Sequence, residues 1–141
     1  MLTVNLALVS EIDGHDPSDL ARVAAALQRQ ATRDFGPIWE VSATLDDFPR
    51  LEDVPVGYWP MIIVPDVRGA AGVHLDKDGQ PLALIEMSDS WSLTASHEML
   101  EMLADQRRQL LRADRSSGGR AGWSTWWRSA TPPRRPSSAT P

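Results

Sequence analysis

The chain of 141 residues contains no cysteine. Disulfide staples and thiolate metal sites are therefore excluded, and the composition fits a reducing cytoplasm. No apolar run is long enough to cross a membrane, so no membrane partner is expected. The first residues, "MLTVNLALVSEIDGHD", lack a basic stretch ahead of their short apolar run and read as a strand, not a signal peptide. Internal repeats are absent. "RGAAG" has neither the lysine of a phosphate-binding loop nor the three glycines of a dinucleotide turn. What is present is a 42% apolar composition, enough to bury one core in one domain.

The net charge of −5 conceals a split. Residues 1–105 carry 6 Lys/Arg against 18 Asp/Glu, a charge of −12. Residues 106–141 carry 8 Arg against one acid, Asp114, a charge of +7. A basic tail on an acidic body raises nucleic-acid binding as an option, since arginines clamp phosphates and tryptophans stack on bases. These arginines form no stripe or known motif, so a nucleic-acid partner is not expected.

"TVNLALVS" (3–10) reads as a buried strand. Asp16 then suits an N-cap and Pro17 the first helical position, with Asp19 near the positive end of the helix. Leu20, Val23, Ala24, Leu27 and Ala31 form an apolar stripe at helical spacing, and Gly36-Pro37 is expected to stop the helix. "IWEVSATL" (38–45), "MIIVPD" (61–66), and segments near 72–75 and 82–87 read as strands, the last two joined by a turn at Lys77-Asp78-Gly79. "HLDKDGQ" lacks the remaining ligands of a calcium loop and is read as that turn. A helix follows over 92–105. The order is β-α-β-β-β-β-α, which predicts an α+β domain with a mixed sheet and two packed helices.

The last helix, "SLTASHEMLEMLAD", carries the chemistry. On a helical wheel Leu93, Leu100, Leu103 and Ala104 share an arc that is expected to face the core. His97 borders that arc, followed by Glu101, Asp105 and Glu98. His97 and Glu101 lie one turn apart and stack on one face. Zinc accepts imidazole nitrogen and carboxylate oxygen, so the pair is a feasible two-ligand clamp. Glu98 is then the candidate general base. A third ligand is missing from the neighbouring sequence. His74 could supply one if its strand lies over the helix. In the competing reading the acids form a solvated face of a non-catalytic structural or interaction domain.

"WSLTASHEMLEMLAD", "ALQRQATRDFGPIW" and "GVHLDKDGQPLALI" resemble a little-characterised group of bacterial and phage proteins with Ser-His-Glu-x-x-Glu-x-x-x-Asp on a helix. The resemblance covers about residues 1–105. It implies a zincin-like, metallopeptidase-like fold, with His97 and Glu98 at the positions of the zincin motif and Glu101 where that motif has a second histidine. A zinc cofactor and a peptide or protein substrate are the corresponding expectations.

The resembling proteins continue past the aspartate with a segment like "YLVEVCDP". Here the chain turns to "GWSTWWRSATPPRRPSSATP", whose composition opposes a packed unit. A one-base shift in reading accommodates the expected segment: Trp126-Trp127 forces a valine codon, and Gly122-Trp123 allows only Leu, Met or Val. Residues 106–141 are therefore expected to be a disordered tail translated out of frame. A metal ligand carried by the replaced segment would be missing, which predicts an inactive or impaired metallopeptidase-like protein.

Overall fold

The computed structural model describes residues 2–77 and 80–110. The chain forms a mixed α+β domain around a five-stranded sheet of order β2-β1-β3-β5-β4. Strand β1 (Leu2–Ser10) leads into α1 (Pro17–Arg29), whose N-cap Asp16 accepts a hydrogen bond from the Ser18 N–H. Strands β2 (Val41–Phe48) and β3 (Trp59–Val64) flank β1, both parallel to it. Strand β4 (Gly72–Lys77) turns back antiparallel to β5 (Gln80–Glu86) and forms one edge, while β5 pairs parallel with β3. The helix α3 (Trp91–Leu110) closes the described part of the chain.

Both long helices cover one face of the sheet, α1 over β1 and β2 and α3 over β5, β4 and β3. Leu6, Leu8, Met61, Ile63 and Ile85 point into this layer from the strands. On the other face Val9, Ile62, Val64, Leu82 and Leu84 pack with Leu51 and Val67 from the connecting loops. Period-two alternation along each strand divides the side chains between these faces. Along β4, Val73 and Leu75 therefore join the second cluster, while Gly72 and His74 turn towards α3.

The sequence reading misplaces the end of the first helix. Gly36-Pro37 does not stop it. The helix widens into a π-type segment, Gln30–Phe35, and a short α2, Gly36–Trp39, follows at once. Pro37 falls in the first turn of α2, where an N–H is not required. Ile38 and Trp39 thus belong to a helix, and β2 begins at Val41. Gly36 is needed at this joint, because a Cβ there would meet the Val41 carbonyl oxygen at 2.6 Å. Glu40 ends α2 with a left-handed φ of 56°, and its N–H returns to the Gly36 carbonyl.

The buried face of α3 also differs from the expected one. Leu93 is 72% exposed. The residues that meet the sheet are Trp91, Ala95, Met99, Met102 and Leu103, with Leu100 and Ala104 at the margin. A buried Met or Leu contributes roughly 1.5–3 kcal/mol, so Met99, Met102 and Leu103 decide how the helix rolls. The helix continues to Leu110, past the boundary expected at Asp105. Of the tail expected over residues 106–141 to be disordered and out of frame, residues 106–110 continue α3, and residues 111–141 lie outside the described residues, as does the turn at Asp78-Gly79. Among the described residues no helix is long and apolar enough to cross a membrane.

Candidate metal centre

The roll of α3 reverses the environments expected for His97 and Glu98. Glu98 is carried into the sheet-facing side and is only 5% exposed. The side chain of His97 is 65% exposed. Glu98 lies against β4 because Gly72 leaves it room. A Cβ at Gly72 would meet Glu98 Oε1 at 2.8 Å and Thr94 Cγ2 at 2.7 Å.

Two residues along β4, on the same face as Gly72, His74 reaches the helix. Its Nδ1 lies 3.0 Å from Glu101 Oε2 and 3.4 Å from Glu98 Oε2. Its Nε2 is hydrogen-bonded to Asp105 Oδ2 at 2.8 Å. Glu98, Glu101 and Asp105 stand at positions i, i+3 and i+7, so one side of α3 presents all three carboxylates to one imidazole. His97 attaches from outside, its Nε2 at 3.0 Å from Glu101 Oε1.

The electrostatics favour positive charge here. Burial disfavours the charged form of His74, but the hydrogen bond and charge of Asp105, with Glu101 and Glu98 adding to them, raise its pKa above the ordinary value of 6.5. Glu98 Oε2 is buried and, among the described residues, makes no hydrogen bond. The lost hydration of this oxygen is offset by His74 Nδ1, 3.4 Å away, when that nitrogen is protonated, and otherwise requires a cation or water as partner.

Ligand atoms of His74, Glu98 and Glu101 lie within 4.8 Å of one another, and this group could hold a metal ion. One nitrogen and two carboxylate oxygens make a donor set that zinc accepts. Asp105 completes the arrangement from behind. With Nε2–H donating to Asp105, a neutral His74 would keep its Nδ1 lone pair towards the glutamates, as a metal ligand requires. Of the residues expected from sequence, Glu101 and Glu98 are thus brought together, while His97 pairs with Glu101 Oε1 and is not one of the three. His74 is the ligand candidate that depended on strand placement.

At the other end of α3, His15 bridges Ser10 Oγ (2.7 Å from Nδ1) and Asp19 Oδ2 (3.2 Å from Nε2). Its ring sits edge-on to Trp91, with 5.2 Å between centroids. This network, not foreseen from sequence, ties the end of β1 and the first turn of α1 to the start of α3.

No family model, curated protein or solved structure matches this chain.

Proposed function

We propose that this chain is a zinc-binding, metallopeptidase-like domain on a zincin-like plan, and that it is hydrolytically impaired as it stands. The observation that carries the reading is Glu98 Oε2, a buried carboxylate oxygen without a hydrogen bond, set beside His74 Nδ1 and Glu101. His74, Glu98 and Glu101 hold the ion, and Asp105 orients His74 from behind. The zincin-like plan is supported by the element order and by the antiparallel edge strand β4 beside a helix bearing His97-Glu98. When bound, zinc supplies a Lewis acid able to polarise a carbonyl or lower the pKa of water. The substrate of an active form is a peptide or protein, which β4 could receive as an added strand. The impairment follows from Glu98, whose engagement as a ligand removes the carboxylate expected to act as base.

A second reading is supported by the same contacts. Protonated His74 among Glu98, Glu101 and Asp105 is an ionic cluster that ties β4 to α3 without a metal. The domain would then be structural or an interaction module. Calorimetric titration of metal-free protein with zinc, paired with a fluorogenic protein substrate, separates the two. One-to-one binding with negligible hydrolysis supports the first reading. Absence of binding leaves the second.

A further inference from the structure

A groove of about 820 Å³ runs between α1 and α3, on the flank of α3 away from His74. Its apolar lining includes Val23 and Ala26 from α1 and Leu93 from α3. Leu93 is the large apolar residue that the roll of α3 leaves in solvent. A hydrogen bond from Ser96 Oγ to Gln30 Oε1, 2.7 Å, ties the two helices together along the groove.

The rim is basic. Arg22, Arg29 and Arg33 line it, with Asp34 as the one acid among the lining residues. Three of the 6 Lys/Arg in residues 1–105 thus meet in one groove, on a body of charge −12. Arg22 is paired with Asp19. Among the described residues, Arg29 and Arg33 have no ion-pair partner.

We propose that this groove docks an acidic amphipathic helix of a partner protein. The occupant's apolar stripe would cover Leu93, Val23 and Ala26, and its flanking acids would meet Arg29 and Arg33. A helix suits the groove because both walls are helical and offer no strand edge. An extended peptide would leave its backbone groups unpaired there, whereas a helix satisfies its own. The charge pattern argues against other occupants. Residues 106–141, at +7, repel an arginine rim. A nucleic acid would meet the −12 body beyond the rim, whereas a short helix meets the rim alone. The inference is independent of zinc at His74, Glu98 and Glu101.

The test is fluorescence anisotropy on the full chain. The probes are a labelled synthetic helix with leucines at i, i+3 and i+7 flanked by glutamates, its lysine-flanked counterpart, and a labelled oligothymidylate. The glutamate helix should bind saturably. Binding should weaken at least about tenfold in Arg29→Glu/Arg33→Glu and in Leu93→Ser, and should fall with salt. These residues are exposed, and zinc binding should be unchanged in both variants. No saturable binding, or binding that the groove variants leave intact (as capture by the arginine tail would be), overturns the proposal. So does oligothymidylate binding or self-association that the groove variants abolish while the glutamate helix fails to bind.

Discussion

His74 Nε2 lies 2.8 Å from Asp105 Oδ2, a bond between the edge strand and the third helix. It uses one ring nitrogen and turns the other towards Glu98 and Glu101. In the proposed zinc site it decides whether His74 is preset as a ligand. Asp105→Asn should weaken zinc binding about 10- to 100-fold while leaving the fold intact. Competition against a chromogenic chelator measures this directly.

Gly72 should be intolerant of a side chain. In Gly72→Ala the new methyl would fall 2.8 Å from Glu98 Oε1 and 2.7 Å from Thr94 Cγ2. Overpacking of this kind costs about 1–3 kcal/mol, and here it also displaces the Glu98 carboxylate. Urea unfolding should show the loss of stability, and zinc should restore less of it than in the parent protein.

Glu98 separates stability from binding. Its buried Oε2, without a hydrogen bond and 3.4 Å from His74 Nδ1, costs the metal-free fold free energy where His74 is neutral. Glu98→Met should leave that fold as stable as the parent, or about 1 kcal/mol more so. At zinc concentrations 100 times the dissociation constant, the parent should gain about 2.7 kcal/mol, and the variant should gain nothing. Thermal melts with and without zinc give both quantities.

Protonation of His74 gives the metal-free protein a pH signature. Its folded pKa is raised above 6.5. The stabilisation it contributes is therefore fully present below the unfolded pKa and is lost as pH rises through the folded pKa. His74→Gln should flatten that part of the stability profile. Zinc competes for the nitrogen facing the glutamates, so its affinity should fall on acidification. Urea midpoints and zinc titrations across neutral pH test both effects.

The strands and the first helix were legible because their signals are local: β-branched runs, the Asp16 cap, and the stripe from Leu20 to Ala31. The end of that helix was not. Gly36-Pro37 normally breaks a helix, but a π-type widening lets Pro37 open a new turn. The roll of α3 was misjudged for a different reason. Its apolar residues spread over more than half of the helix circumference, and an arc built on leucine and alanine omits Met99 and Met102, which are buried, while including Leu93, which is not. Once the roll is corrected, Glu98 turns inward and His97 outward. The short motif named the helix that carries the candidate site. It could not supply His74, which lies 24 residues before Glu98 and meets it only because β4 forms the edge beside α3.

The most direct test is the zinc content of purified protein after saturation and desalting, measured for the parent, His74→Ala and His97→Ala. One zinc per chain is expected in the parent, none in His74→Ala, and the parental amount in His97→Ala. A parent without stoichiometric zinc, or a site that survives in His74→Ala and disappears in His97→Ala, would contradict the assignment of His74, Glu98 and Glu101 as the metal centre.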